Sequence, residues 1–309
     1  MIPVISTRGL CKKYGSVTAL DDINLQIESN GPIGLIGKNG AGKTTLLSIL
    51  SGVLRPTMGS VQILGSLPDS AAIKGRVAIL LQDANFRNGI PVKYQLLHFA
   101  RLLGMSRDQA GREVNAVLKQ TNNSLYAEQK PRALSYGQRK RLAIVQALIG
   151  KPELILLDEP TAGLDPIAAS EIRKLIRNSS RDISFMVSSH NLYEIEDICK
   201  TIILLDKGRL VTHAPIADFA TRNDTLNLVL DRPLTQELHK KISQFLEIKD
   251  IIFNDPNSEK FTIRFTSNNP DKLQLELQSL INEHGFSIVM LSRGKTLADG
   301  VVDMVETGN

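Results

Sequence analysis

The sequence predicts an α/β fold with a mainly parallel sheet, extended at its C-terminal end by a small α+β unit. Three observations predict it. Short apolar runs of strand length alternate with segments of helical spacing between residues 32 and 213. A glycine-rich turn at 37–44 stands between one such run and a helix. Near residue 222 both pattern and charge change: residues 1–221 carry 27 basic and 19 acidic side chains, residues 222–309 carry 10 and 13.

The elements follow in order. Pro3–Leu10 and Ile23–Glu28 alternate as strands. Residues 32–36 read as a short buried strand, and Lys43 to Leu50 as the start of a helix. Between them Gly37, Lys38, Asn39, Gly40, Ala41, Gly42, Lys43 and Thr44 fit the pattern G-x-x-x-x-G-K-[ST]. Gly37, Gly40 and Gly42 let the backbone curl and approach an anion. The N–H groups of the loop and of the helix start, up to Thr45, then face phosphates. Lys43 supplies a point charge for the β- and γ-phosphates, and the Thr44 hydroxyl can ligate magnesium.

Val61–Leu64 is a strand after the turn at 56–59, and Arg76–Leu81 another, closed by Gln82. Tyr94–Leu103 and Ser106–Gln120 have helical spacing, which predicts a helical insert over about 88–150. Ser135, in Leu134-Ser135-Tyr136-Gly137-Gln138, caps a helix running to Ile149. Glu153–Leu157 and Ile183–Ser188 are strands around a helix from Ile167 to Asn178. The first runs into Asp158, Glu159 and Pro160, and a carboxylate at a strand end can hold magnesium. Asp165 precedes Pro166 as a helix cap, and His190 follows the second strand. Thr201–Leu205 and Arg209–His213 flank Asp206, Lys207 and Gly208, a hairpin signal.

Beyond residue 222 the order is β-α-β-β-α-β: Leu226–Leu230, Thr235–Phe245, Ile248–Phe253, Lys260–Thr266, Asp271–His284 and Phe286–Leu291. That order predicts a ferredoxin-like appendage, with Val301–Val305 as a terminal helix.

Composition sets bounds. A chain of 309 residues, 42% apolar and 22% charged, fits about two folded, soluble domains. Cys11 and Cys199 have no metal-ligand spacing and read as buried free thiols of a reducing compartment. The N-terminus lacks a signal peptide's basic-then-apolar order. No uncharged apolar run approaches the ~20 residues needed to span a bilayer. The net charge of +5 is diffuse, and without an aromatic-rich basic run no nucleic-acid partner is expected.

Taken together, the loop at 37–44, Leu134–Gln138 and Leu154–Pro160 make residues 4–220 resemble an ATP-binding cassette ATPase, the nucleotide-binding subunit of an ABC transporter. The resemblance implies ATP and Mg2+ as ligands, with Thr44, Gln82 and Asp158 on the metal. It implies that Glu159 polarises the attacking water and that Gln82 contacts magnesium and water and senses the membrane subunit. His190 is implied to contact the γ-phosphate and Tyr14 to stack on adenine. Ser135, Gly137 and Gln138 stand for the family signature, which contacts the γ-phosphate held by the opposite subunit. Asp165 stands in the loop that links the two sites. Tyr136 departs from the pattern, replacing a glycine with a residue that disfavours positive φ.

One cassette per chain implies a homodimer or a paralogous partner, since one chain carries half of each site. Leu134–Pro166 and the appendage look most like bacterial ABC-2-type exporter ATPases, and the terminal Leu297–Val305 resembles, loosely, the ending that such subunits share. Those pair with separate transmembrane permeases on the cytoplasmic face of the membrane. Asp83–Val92 and the helical insert would receive the permease. The alternative is a non-transport ABC ATPase of translation or DNA repair. Against it stand the single cassette, the acidic tail and the lack of a heptad run.

Overall fold

The computed structural model describes residues 3–28, 31–82, 85–180, 183–220, 225–253, 258–267 and 269–294, with Leu297 and Val301. The chain divides into two compact units, Met1–Ile216 and Ala217–Thr307. The division falls slightly ahead of the 221/222 boundary expected from charge.

The first unit contains β1 (Ile5–Tyr14), β2 (Val17–Ile27), β3 (Ile33–Ile36), α1 (Lys43–Leu50), β4 (Met58–Ile63) and β5 (Val77–Leu80). There follow α2 (Val92–Leu102), α3 (Arg107–Gln120), α4 (Ser124–Ala127) and α5 (Tyr136–Leu148). It closes with β6 (Leu154–Asp158), α6 (Pro166–Ser179), β7 (Ser184–Ser189), α7 (Leu192–Ile198), β8 (Thr201–Asp206) and β9 (Arg209–Pro215).

Six strands form one sheet in the order β5-β6-β7-β3-β8-β9. It is parallel through β8, and β9 returns antiparallel as the hairpin partner of β8. Every residue of β3, β6 and β7 is buried. This is why they read as unbroken apolar runs: helices and a second sheet cover both faces. A separate antiparallel sheet, β2-β1-β4, shares one core with α1 through Leu10, Leu20, Ile23, Leu46, Leu47 and Ile63. Burying such a side chain stabilises by roughly 1.5–3 kcal/mol.

The helical insert lies between β5 and β6. Ser106 and Ser135 each accept a hydrogen bond from the backbone N–H three residues on, and Gln109 and Gln138 reciprocate, so α3 and α5 both open in a capping box. Two differences from the sequence reading concern the edges of elements. β1 and β2 extend toward each other to a hairpin at Tyr14–Val17, although Cys11, Lys12 and Lys13 break the alternation. Register shifts along β1 absorb that break. The short α7 buries only Ile195 and Ile198, too few positions to show a helical period.

The second unit holds α8 (Ala217–Ala220), β10 (Thr225–Leu230), α9 (Gln236–Ile242), β11 (Ile248–Phe253), β12 (Lys260–Phe265), α10 (Pro270–Glu283) and β13 (Ile288–Arg293). Its sheet order is β11-β12-β10-β13, antiparallel throughout, which is the ferredoxin-like arrangement. Leu226, Leu228 and Leu230 alternate on β10, as do Phe261, Ile263 and Phe265 on β12. They pack with Leu273, Leu277 and Ile281 of α10 in a core of their own. Of the expected terminal helix at 301–305 only Val301 lies within the described residues, and it is buried.

Candidate functional site

The parallel pairing brings three strand ends together. Ile36, the last residue of β3, lies beside Ser189 of β7, and Asp158, the last of β6, lies beside Ser188. Open parallel sheets bind ligands in the crevice outside such ends. The loop 37–42 fills the space between β3 and α1. Gly42 begins α1 at φ 101, and a Cβ there would come within 2.6 Å of Ala19 O. Gly37 is needed for a different reason than the sequence suggested. A Cβ on it would sit 2.5 Å from Leu205 O, so the glycine lets the loop lie against the end of β8. No side chain caps α1, and the free amides of an uncapped helix start are suited to an anion.

Lys43, the first residue of α1, is buried at 7% exposure. Its ammonium donates to Gly37 O at 2.7 Å and lies 3.6 Å from Glu159 Oε1. A buried cation of this kind needs such partners. Thr44 Oγ1 donates to Asp158 Oδ2 at 2.7 Å. The other carboxylate oxygen of Asp158 accepts from Ser188 Oγ at 2.6 Å, and that same Oγ accepts the Glu159 N–H at 2.9 Å. Glu159 holds φ 46, a left-handed conformation costly for a side chain of its type, and its Oε2 meets His190 Nδ1 at 2.9 Å. Gln82, just past β5, is exposed, and its carbonyl accepts from the buried Lys140 Nζ of α5 at 2.5 Å.

Part of this set lines one cleft of about 210 Å³, with Asn39, Gly40, Lys43, Thr44, Gln82, Asp158 and Glu159 among its walls. Ser188, His190 and Lys140 are not among them and join it through Asp158, Glu159 and Gln82. Thr45 and Ala19 also line it. A larger hollow of about 340 Å³ near Leu54, Val61 and Leu67 is mainly apolar and contains none of the candidate residues. The polar cleft is therefore the site that the chemistry selects.

The remaining candidates lie elsewhere. Ser135 and Gln138 form the exposed capping box of α5. Gly137 faces α6 so closely that a Cβ would come within 2.8 Å of Ala168 Cβ. Asp165 caps α6 by accepting from the N–H groups of Ile167 and Ala168 at 3.0 and 2.9 Å. Tyr14 stands half-exposed at the β1–β2 hairpin with Lys12 Nζ 5.2 Å from its ring centre, away from the cleft walls. Tyr136 is the first residue of α5 and has no positive φ, so the strain anticipated for tyrosine at that place does not arise.

Residues 20–162 match a family model described as ABC transporter. The bacitracin transport ATP-binding protein of Bacillus licheniformis is 33% identical over 227 residues, covering 72% of this chain and 73% of its own length. The chain belongs to the ABC transporter ATP-binding subunits.

Another member of the family, an energy-coupling factor transporter ATP-binding protein of Methanospirillum hungatei, is 32% identical and covers 76% of this chain and 88% of its own. Among solved structures, a subunit of the cbiONQ ABC transporter complex of Clostridium perfringens superposes with a TM-score of 0.63 at 27% identity, over 71% of this chain and 90% of that one. A dimeric ATP-binding cassette bound to ADP and Pi shares the fold, with a TM-score of 0.61 at 24% identity over 68% of this chain and 98% of that one. As an ABC subunit this chain binds and hydrolyses ATP to drive a membrane transporter. A role in translation or DNA repair is not favoured, since these relatives are transport subunits. Among the described residues no helix is long and apolar enough to cross a membrane.

Sequence reasoning missed Ser188. Its importance comes from lying opposite Asp158 in register, and nothing in a lone serine of an apolar strand reveals its neighbour. It also missed Lys140, whose reach to Gln82 spans 58 residues of sequence.

Proposed function

We propose that residues 37–45 cradle the triphosphate of ATP, with Lys43 as its cation, Glu159 as the group that polarises water and His190 as the contact to the γ-phosphate. The observation that carries this reading is the convergence of Lys43, Thr44, Asp158 and Glu159 on one polar cleft, with His190 joined to it through the Glu159 carboxylate. Thr44 Oγ1, the Asp158 carboxylate and the Gln82 amide are hard oxygen donors on that cleft and fit Mg2+. Three protein oxygens leave positions for phosphate and water. The ion, when bound, neutralises charge that builds on the phosphates during transfer. Glu159 needs no unusual basicity for its role; position against the water decides.

Ser135, Gly137, Gln138 and Asp165 lie off this cleft, which supports a site completed across a dimer. We assign them to the nucleotide held by the facing cassette, in a homodimer or a paralogous pair, and Tyr14 to the adenine. Residues 1–221 are the cassette and 222–309 an accessory domain. A separate transmembrane permease docks on the helical insert and on the segment Asp83–Val92, of which Asp83 and Ala84 lie outside the described residues. The subunit then sits peripherally on the cytoplasmic face. Export is the direction supported by the ABC-2-like features of Leu134–Pro166 and the appendage, and a relative named for bacitracin transport is consistent with it.

The test is Glu159→Gln, which keeps shape and loses the carboxylate. Turnover falls ~10²-fold or more while ATP remains bound, and an ATP-dependent dimer accumulates in light scattering. Wild-type turnover in that variant would move the role to another residue.

A further inference from the structure

Glu194 stands on α7, four residues past His190, and its carboxylate reaches three separate elements. Oε2 accepts from the hydroxyl of Thr161, in the turn between Glu159 and Asp165. The same oxygen lies 3.3 Å from Ser189 Oγ, at the end of β7. Ser189 Oγ accepts the Asn191 N–H at 3.0 Å, which leaves its proton for Glu194. The other oxygen, Oε1, faces Arg173 of α6 at 3.7 Å. Arg173 also pairs with Asp197 at 2.8 Å, and Asp197 with Arg177 at 2.9 Å. Thr161 and Ser189 are buried, and the Glu194 side chain is 13% exposed. An ionised acceptor in such a setting holds hydroxyl donors more firmly than a neutral one would.

We propose that Glu194 is a positioning residue for ATP hydrolysis, which couples the placement of His190 to that of the Asp165 turn. It acts through Ser189 on one side and Thr161 on the other. Arg173 fastens the same carboxylate to α6, the helix that Asp165 caps. A shift of His190 and a shift of the Asp165 turn therefore pull on one shared anion. The inference rests on the roles proposed above for His190 and Asp165.

Steady-state ATP hydrolysis by the full chain tests it, with Glu194→Ala, Glu194→Gln, His190→Ala and the double Glu194→Ala/His190→Ala. Glu194→Ala lowers kcat about tenfold and leaves KM for ATP within about threefold, as expected of a group that orders the reacting geometry. Glu194→Gln keeps an acceptor oxygen and retains at least roughly a third of kcat. In the His190→Ala background the Glu194→Ala loss shrinks to about twofold, because residues acting through one another are not additive. Wild-type kcat in Glu194→Ala, an equal loss in both backgrounds, or a rise in KM alone would overturn the coupling. Should Glu194→Ala not fold, Thr161→Val removes one donor and leaves the carboxylate its other partners. Its kcat loss must likewise shrink beside His190→Ala, and independent losses count against the proposal. Unimpaired His190→Ala means that the His190 assignment itself fails; an impaired His190→Ala with independent Glu194 effects removes only the coupling.

Discussion

Thr44 and Asp158 share a 2.7 Å hydrogen bond across 114 residues of sequence. The bond ties the first turn of α1 to the end of β6, and the opposite oxygen of Asp158 is held by Ser188. The carboxylate is thus aimed by two hydroxyls from different elements, and such preorganisation lowers the reorganisation that binding requires.

Ser188→Ala tests that preorganisation. It strips a donor from Asp158 and an acceptor from the Glu159 N–H, both buried. Each unsatisfied group costs about 1–3 kcal/mol. Magnesium-dependent kcat is expected to fall about tenfold, with a lower thermal midpoint. Nucleotide affinity measured without magnesium changes much less. A variant with normal kcat would show that Asp158 holds its place without the serine.

Tyr136 and Gly137 give opposite expectations. Tyr136 is helical and exposed, so Tyr136→Gly leaves turnover within a few fold, at a helix-start cost of at most about 1 kcal/mol. Gly137→Ala places a methyl 2.8 Å from Ala168 Cβ and forces α5 away from α6. It should cost about 1–3 kcal/mol by overpacking and reduce turnover well beyond the Tyr136 variant. Equal activity of the two variants would contradict the close α5–α6 contact.

The second unit has its own apolar core and contains no candidate site residue. A chain ending after Ile216 is expected to fold and to bind ATP with unchanged affinity, read by nucleotide titration. A soluble, folded truncation that no longer binds ATP would sink the division of labour between the units.

Acid should act on β9. Partial desolvation depresses the pKa of His213 below its ordinary 6.5, although the residue stays exposed on β9, so water screens the effect and keeps it small. The unfolded chain then binds the proton more readily than the folded one, so stability is lost as pH falls from about 6.5 toward the folded value. His213→Gln removes this contribution, and the thermal midpoint of the variant falls less between pH 7 and pH 5 than that of the parent. An identical pH slope in both proteins would assign the acid sensitivity elsewhere.

Much of this molecule was legible in local chemistry. The loop before Lys43, the caps Ser135 and Asp165, and the apolar runs of β3, β6 and β7 depend on residues within about four positions of one another. Their spacing therefore carries the information, and the α/β class and the β-α-β-β-α-β order followed from it. Tertiary structure alone decided which strands stand side by side. Only the β6–β7 register puts Ser188 against Asp158, only the packing of the loop on β8 explains Gly37, and only the turn after Asp158 brings Glu159 to both Lys43 and His190. The length of the β1–β2 hairpin was hidden for the same reason, since its register shifts let polar residues interrupt the alternation. Spacing along the chain encodes the shape of an element, whereas the partners of a side chain are set by pairing across tens of residues, where local propensity carries no signal.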